Sequence, residues 1–332
     1  MPLFDYVKGV NIPEIVCALP KQKFTIAEYA PNLLNEKTAK RMSRETGFHT
    51  LRIAPEDMTT ADLFTVVAEK LLEHHNSKDI AAIVFVTQTP DYALPTTSHI
   101  LQHSLGLSND TLCLDINEGC SGFVTGLYIA AGLSRKLGAK VLLGCGDTLS
   151  KCTSHDDRAT RCIFGDEAVA VLVEPGNQDI PFAFTSYGDR SDVIIMENSR
   201  HRKVENPKNG GFLYLDGVEI LNFSLNEVPD VINSFMARNN LKDEDISLYA
   251  CHQANKLILN NLADKLGVER EKMPFTSGDT GNESSASIPS VIIRTGGGGV
   301  LRSVLCCGFG VGLSVGVCKA DFSETKTSEV YI

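Results

Sequence analysis

The sequence contains no tryptophan, and aromatic residues make up only 7% of its 332 positions. Basic residues are not in excess either, because 41 acidic side chains outnumber 31 lysines and arginines, for a formal charge of −10. This balance argues against general nucleic-acid binding. The sequence has no apolar run long enough to span a bilayer and no N-terminal pattern of a signal peptide. We therefore expect a cytoplasmic protein with no membrane segment.

None of the ten cysteines forms a CxxC pair, and most lie in apolar, strand-like stretches. This usage is typical of reduced thiols and argues against a disulfide framework or a zinc site. We expect neither a metal site nor a tightly bound cofactor. The hydrophobic content of 43% is that of a globular chain with a substantial core.

The stretch 114–138, LDINEGCSGFVTGLYIAAGLSRKLG, predicts a strand, a tight turn and a buried helix. Cys120 falls at or just before the helix N-terminus, where free N–H groups and the helix dipole favour a thiolate. Gly119 and Gly122 beside it would let a substrate approach closely. The alternative is that Cys120 is one more buried structural cysteine.

A βαβαβ pattern occurs twice, over about 80–146 and 246–310. Matched landmarks are 161, 162 and 163 positions apart: Leu105 and Leu266, Cys120 and Asn282, Val141 and Val304. We therefore predict an α/β fold of two duplicated lobes, 1–175 and 218–332, with helices on the faces of mixed or mostly parallel sheets. Residues 176–217 are expected to be solvated connecting loops, 272–277 a strand, and the tail after Phe322 frayed.

The duplication places Cys120, His252 and Asn282 at equivalent strand ends or helix starts, where sites in such sheets lie. Taken singly, His252 has a structural alternative and Asn282 could be an ordinary helix cap. The glycine-rich segment 307–314, CGFGVGLS, could expose backbone N–H groups to an oxyanion. Close sheet packing is the alternative explanation of these glycines.

The segments DINEGCSGF, HQANK, GNESSAS and GFGVG, in this order and spacing, resemble beta-ketoacyl-acyl-carrier-protein synthase III of the thiolase superfamily. ETGFHTLRIA, RCIFGDEAVAVL and YLDGVEI extend the resemblance over nearly the whole chain. The resemblance implies a thiolase-like, five-layered αβαβα fold of two lobes related by a pseudo-twofold axis. It also implies a homodimer with the strand before the cysteine near the interface.

The same resemblance implies roles for individual residues. Cys120 would accept an acyl group from a thioester of coenzyme A or acyl carrier protein. His252 and Asn282 would bind a malonyl-type extender and stabilise its enolate after decarboxylation, giving a 3-oxoacyl product for fatty-acid or polyketide synthesis. Backbone N–H groups of Cys120 and Val311 would hold the first oxyanion.

The chain departs from the family pattern at several positions. Glu118 precedes the cysteine where small residues are common, and its charge would raise the thiol pKa unless it is paired. Arg41 replaces an aromatic residue for coenzyme A stacking, and Leu257 replaces a common arginine. We therefore predict carrier or coenzyme A docking at Lys256 and Arg41, in a patch with Lys40 and Arg44.

Three other functions fit parts of the pattern. The same cysteine, histidine and asparagine could transfer an acyl group to another acceptor without decarboxylation. A papain-like cysteine hydrolase has these residue types in this chain order, but lacks the duplication and the glycine segment. A catalytically inactive scaffold would more naturally have lost one of the three residues.

Overall fold

The protein alternates strands and helices, and a computed structural model describes residues 1–296 and 298–332. The strands in these residues are β1 (Leu3–Leu19), β2 (Lys23–Thr25), β3 (Thr50–Arg52), β4 (Ile80–Val86), β5 (Leu112–Ile116), β6 (Lys140–Asp147), β7 (Glu167–Pro175), β8 (Gln178–Ser186), β9 (Ile194–Ile195), β10 (Tyr214–Leu215), β11 (Leu248–Cys251), β12 (Val304–Gly310), β13 (Ser314–Ala320) and β14 (Lys326–Tyr331). The α-helices are α1 (Ile26–Tyr29), α2 (Glu36–Thr46), α3 (Thr60–Leu72), α4 (Thr97–Ser104), α5 (Gly122–Leu137), α6 (Arg158–Arg161), α7 (Gly217–Arg238), α8 (Lys256–Leu266) and α9 (Ser287–Thr295).

Strand β1 joins two halves of one ten-stranded sheet, ordered β11-β12-β13-β8-β1-β7-β6-β4-β5, with β14 also paired to β1. The first part of β1 pairs with β8 and the later part pairs with β7, both antiparallel. The register shifts between Asn11 and Glu14, so Pro13, which has no N–H to donate, lies at an irregularity instead of breaking the strand.

Hydrophobic side chains arrange the halves into five layers. In β4, Val84 and Val86 pack toward α5 while Ile83 and Phe85 pack toward α3, which explains the continuous apolar run IAAIVFV. Helices α5 and α9 share a central apolar cluster between the two half-sheets, and α7 and α8 cover the far face. The order is therefore helix, sheet, helix, sheet, helix, as expected for a duplicated thiolase-like fold.

The duplication is visible in the pairing pattern. Strands β4, β5 and β6 are parallel and β7 is antiparallel to β6, while β11 and β12 are parallel and β13 is antiparallel to β12. Helices α4 and α8 end at equivalent places, and Cys120 and Asn282 precede α5 and α9. The predicted strand over 272–277 is wrong, because Lys272 ends a 3-10 turn and the residues after it pair with no strand. Among the described residues, β5 therefore has no counterpart in the second half.

Two expectations about polar segments are also wrong. Residues 178–186, expected in a solvated loop, form β8, which pairs with β1 and β13 inside the sheet. The tail after Phe322 forms β14 instead of fraying, and it pairs parallel to β1. In both cases the neighbouring strands stabilise a segment whose own composition is not strongly apolar. The division into lobes at 175 and 217 stays a prediction.

Across residues 1–296 and 298–332, no helix combines the length and apolar character needed to cross a membrane.

The central layer generates a stability prediction at two glycines of α5. A Cβ on Gly126 would lie 2.7 Å from Val86 and 2.8 Å from Leu143, whereas a Cβ on Gly132 would meet nothing within 4 Å. We expect Gly126→Ala to have a free energy of unfolding about 1–3 kcal/mol below that of Gly132→Ala, because only the former overpacks the layer. Urea unfolding followed by circular dichroism measures the difference. Equal stabilities would contradict this packing of α5.

Candidate active site

Cys120 lies immediately before α5, at the position predicted from sequence. The N–H of Gly122 donates to the carbonyl of Gly119 at 2.7 Å and closes the turn that carries the cysteine. The side chain of Cys120 is 8% exposed, so a thioester must enter a largely dehydrated site to reach the sulfur.

The end of β12 approaches the start of α5 so closely that only glycine fits there. A Cβ on Gly308 would lie 2.6 Å from the Cα of Ser121, and a Cβ on Gly310 would lie 2.9 Å from the Cys120 sulfur. This contact across the two halves places the backbone of Val311 beside the sulfur.

Burial and a nearby carboxylate set the charge state of Cys120. Burial, with a smaller contribution from the Asp147 carboxylate, raises the pKa of the Cys120 thiol to about 12. The backbone N–H groups of Val311 and Cys120 act in the opposite direction by donating toward the sulfur. The expected thiolate is therefore not the favoured form of Cys120 in the free protein, because desolvation outweighs the hydrogen bonds that lower the thiol pKa.

The acidic residue beside the thiol is Asp147, which sequence reasoning missed. Asp147 is the last residue of β6. An acidic residue at the carboxyl end of a predicted strand is a sequence feature that could have identified it as a site residue. Its Oδ1 accepts from the Gln88 N–H at 2.7 Å, and burial raises the pKa of Asp147 to about 6. Glu118, in contrast, accepts a hydrogen bond from the Ser121 hydroxyl at 2.6 Å.

His252 continues from β11, and its N–H donates to the carbonyl of Cys307 at 2.8 Å. Its Nδ1 lies 2.8 Å from the Ser287 Oγ, and this hydroxyl is also 2.8 Å from the carbonyl of Ser284. Because the hydroxyl has one proton for two acceptors, its orientation selects the histidine tautomer. Burial lowers the pKa of His252 to about 3, so the imidazole is neutral near pH 7.

Asn282 is fixed by both its backbone and its side chain. Its N–H donates to the carbonyl of Ile163 at 2.7 Å, and its carbonyl accepts from the Gly165 N–H at 3.2 Å. The side-chain Oδ1 accepts from the Ser284 N–H at 3.0 Å. This bond assigns the amide orientation, because it leaves Nδ2 as the group available to donate to a ligand.

Cys120, His252 and Asn282 line one cavity of about 270 Å³, together with Val311. Apolar side chains complete its wall, among them Leu149, Phe164, Leu215, Ile220, Phe223 and Phe309. A second cavity of about 570 Å³ adjoins it. The two share Gln88, Leu149, Ile194, Leu213 and Val311. In the part of the chain that the structure describes, no group of three or more His, Cys, Asp or Glu side chains could hold a metal ion.

The structure also locates the two predicted docking residues. Lys256 is the first residue of α8 and is exposed, and the preceding Asn255 lines the cavity that contains Cys120. Arg41 on α2 is exposed and pairs with Glu45 at 2.7 Å, one helical turn away. The charge of Arg41 is therefore partly balanced within its own helix.

Comparisons with known proteins agree with this geometry. The model of the family described as 3-Oxoacyl-[acyl-carrier-protein (ACP)] synthase III matches residues 114–189, and the model of its C-terminal part matches residues 236–320. The Beta-ketoacyl-[acyl-carrier-protein] synthase III of Streptococcus agalactiae is 32% identical over 314 residues, which cover 88% of this chain and 96% of that protein.

Solved structures show the same relationship. The crystal structure of the 3-oxoacyl-(acyl-carrier protein) synthase of Burkholderia xenovorans superposes with a TM-score of 0.93 at 29% identity, and 99% of each chain is covered. The priming beta-ketosynthase of the R1128 polyketide biosynthetic pathway superposes with a TM-score of 0.85 at 25% identity, covering 95% of this chain and 97% of that one.

A duplicated five-layer fold with cysteine, histidine and asparagine on one cavity defines a condensing acyltransferase of the thiolase superfamily. Within that class, the chain belongs to the 3-oxoacyl-[acyl-carrier-protein] synthase III family. This membership favours decarboxylative condensation over acyl transfer alone and does not support the papain-like alternative.

The raised thiol pKa predicts how Cys120 reacts with a small alkylating agent. Only the thiolate reacts, so its alkylation by iodoacetamide should accelerate about tenfold for each pH unit between pH 7 and pH 10, without a plateau. Peptide mass spectrometry at each pH locates the label, and a Cys120→Ser variant gives the background from other cysteines. A plateau at or below pH 8 would contradict the neutral thiol.

Proposed function

We propose that Cys120, His252 and Asn282 catalyse the two half-reactions of a decarboxylative condensation. The observation that carries this proposal is their shared cavity of about 270 Å³, with a buried thiol, a neutral imidazole and a free amide donor on its wall. None of the three groups bears a net charge near pH 7, so their chemistry depends on proton transfer and hydrogen bonding.

In the first half-reaction, the Cys120 sulfur attacks the carbonyl carbon of an acyl thioester. The thiol proton moves to Nε2 of His252, in the tautomer that carries its proton on Nδ1, and then to the departing thiolate of the donor. The backbone N–H groups of Cys120 and Val311 hold the oxyanion that forms during the attack. The product is a thioester on Cys120 and a free donor thiol.

In the second half-reaction, a malonyl-type thioester binds in the same cavity. Its carbonyl oxygen accepts hydrogen bonds from Nε2–H of His252 and Nδ2 of Asn282. Loss of carbon dioxide leaves an enolate that these donors stabilise, and the enolate carbon attacks the acyl group on Cys120. The carbon–sulfur bond breaks, the sulfur takes a proton from water, and a 3-oxoacyl thioester leaves. This half-reaction needs the imidazole proton on Nε2. Between the half-reactions, Nδ1 therefore gives its proton to water, Nε2 takes a proton from water, and the Ser287 hydroxyl rotates from the Ser284 carbonyl to donate to Nδ1.

The thioesters are carried by coenzyme A or acyl carrier protein, and the adjoining cavity of about 570 Å³ receives the acyl chain. The segments 90–97 and 176–216 contribute Tyr92 and Ile195 to that cavity. Gln88 lies on both cavities, and its Oε1 would be 2.3 Å from a Cβ on Gly119. The amide of Gln88 is thus a polar group that an acyl chain meets near the sulfur.

An acidic carrier protein would dock where α2 and α8 meet beside the cavity. Met42 of α2 and Ile258 of α8 both line the cavity, and the stem of Lys256 packs against Gly47 at the end of α2. Lys256 is the preferred contact, since Arg41 already pairs with its own helix.

The protein would act as a cytoplasmic homodimer. Strand β5 ends the order of the ten-stranded sheet, and Leu112 and Leu114 on it are 49% and 37% exposed. An edge strand with exposed leucines is suited to pairing with a second copy of the chain. The molar mass of a monomer in light scattering at micromolar concentration would contradict the dimer.

The two half-reactions can be separated by substitution. Cys120→Ala should form no acyl adduct with any of a panel of acyl thioesters, because it lacks the nucleophile. His252→Ala should accept the acyl group more slowly, because the thiol proton must then pass to water. It should also release carbon dioxide from a malonyl thioester about 100-fold more slowly, since one donor to the enolate oxygen is lost. Intact-protein mass spectrometry measures the adduct, and carbon dioxide release measures the decarboxylation.

Cys318→Ala is the matched control, because Cys318 lies on β13 and lines neither cavity, so its substitution is predicted to leave both half-reactions unchanged. A normal acyl adduct on Cys120→Ala would remove the nucleophile assignment. Decarboxylation at the original rate in His252→Ala would remove the role of His252 in that step.

The docking proposal predicts a charge effect at one position. Lys256→Glu should weaken the reaction with a carrier-protein thioester about tenfold in kcat/KM, because it places a negative charge against an acidic partner. Steady-state kinetics at low ionic strength measure this effect, and Lys265→Glu near the other end of α8 is the control. Unchanged carrier-dependent kinetics in Lys256→Glu would remove this residue from the docking surface.

A further inference from the structure

A buried ionic cluster lies behind the proposed active site. Arg294, in the last turn of α9, is 13% exposed and contacts three carboxylates from three different segments. Its Nε donates to Glu329 at 2.9 Å, its Nη1 to Glu283 at 2.6 Å, and its Nη2 to Glu167 at 2.9 Å. The side chains of Glu283 and Glu167 are fully buried. One guanidinium therefore joins the turn before α9, strand β7 and strand β14.

Glu283 is the member of this cluster closest to the chemistry, because it directly follows Asn282. Its carboxylate also accepts hydrogen bonds from the hydroxyl of Ser277, at 2.6 Å, and from the hydroxyl of Thr280. With Arg294, three donors hold this one carboxylate. Glu283 thus joins both ends of the turn 277–283 through hydrogen bonds to its carboxylate.

The position of the Asn282 amide depends on this closed turn. Its backbone is bonded to Ile163 and Gly165 on one side, and its Oδ1 accepts from Ser284 on the other. Glu283 lies between these two attachments, so a shift of its backbone would rotate the amide and move Nδ2. Misplacing a catalytic group by about 1 Å can reduce a rate about 100-fold.

The charges of the cluster explain why its members cannot be exchanged freely. Removing Arg294 would leave two carboxylates buried without a cation, which is strongly unfavourable. Burial raises the pKa of Glu167, with Arg294 lowering that pKa and Glu283 raising it.

We propose that Arg294 and Glu283 are a positioning pair that aims the Asn282 amide, and that they affect decarboxylation more strongly than the acylation of Cys120. The inference rests on the proposed role of Asn282. The selectivity follows from the contacts, because the oxyanion donors Cys120 and Val311 lie immediately before α5 and in the β12–β13 turn, outside the turn that Glu283 closes.

The test uses the full-length protein and two conservative variants, Glu283→Gln and Arg294→Lys. Gln keeps the size of the side chain but loses the charge, and Lys keeps the charge but cannot serve three carboxylates in one plane. We expect kcat for carbon dioxide release from malonyl-coenzyme A to fall at least about tenfold with KM within about threefold. Acyl-adduct formation on Cys120, followed by intact mass, should stay within about threefold of the original protein.

Two further variants keep the test decisive. Glu329→Gln is the matched control, because it loses a contact to the same guanidinium on β14, away from the Asn282 turn, and should leave both half-reactions within about twofold. Ser277→Ala removes one donor to Glu283 without a charge change, and it gives a smaller loss of decarboxylation if the charged variants do not fold.

The outcomes distinguish this inference from the proposed function. Equal losses of both half-reactions in the folded variants, or no loss of decarboxylation in Glu283→Gln and Ser277→Ala, would overturn the positioning role. If the unsubstituted protein forms the acyl adduct but releases no carbon dioxide, the decarboxylating function itself fails. A normal unsubstituted protein with unaffected variants overturns only the positioning pair.

Discussion

The contact between the glycines of β12 and the start of α5 is the constraint on which the site depends. A Cβ atom on Gly308 or Gly310 would lie within 3 Å of the backbone or sulfur of Ser121 and Cys120, so hydrogen is the only side chain that fits. Because β12 and α5 belong to different halves of the duplicated fold, this contact also fixes how the halves meet. The backbone of Val311 reaches the sulfur of Cys120 as a direct result, and a donor for a developing oxyanion needs no dedicated side chain.

Closing the halves in this way removes water from the reacting groups. The same burial that raises the pKa of Cys120 lowers the pKa of His252, so the pair is neutral near pH 7 instead of forming a thiolate and an imidazolium. A neutral imidazole is useful in both half-reactions, because it can accept the thiol proton in one tautomer and donate to an enolate oxygen in the other. The Ser287 hydroxyl, placed between His252 and the Ser284 carbonyl, lets both tautomers exist without moving the ring.

Much of this arrangement could be predicted from sequence, and the errors have physical causes. The period of about 162 residues located Cys120 and Asn282 before equivalent helices, and motif order identified His252. Predictions from local composition were wrong where pairing with neighbouring strands determines the secondary structure. The polar residues of β8 suggested a loop, but this strand pairs with β1 and β13. The C-terminal segment suggested a frayed tail, but it forms β14 and pairs with β1. The thiol pKa was misjudged because a helix dipole can be read from sequence, whereas desolvation and the carboxylate of Asp147 depend on packing.

The duplication places Cys120 and Asn282 at equivalent positions before α5 and α9. The residues packed behind these two positions differ. Behind Cys120 lies the single carboxylate of Asp147, which accepts hydrogen bonds from the loop after β4 and disfavours charge on the sulfur. Behind Asn282 lies a cationic centre, Arg294, that binds the carboxylate adjacent to the amide. A thiol that must remain a thiol until substrate arrives needs only burial, whereas an amide that must donate along one direction needs a fixed backbone. The halves therefore share a scaffold but differ in their fixed parts, which are a buried thiol in one half and a hydrogen-bonded turn in the other. In the proposed mechanism, each half-reaction depends on one of these two arrangements.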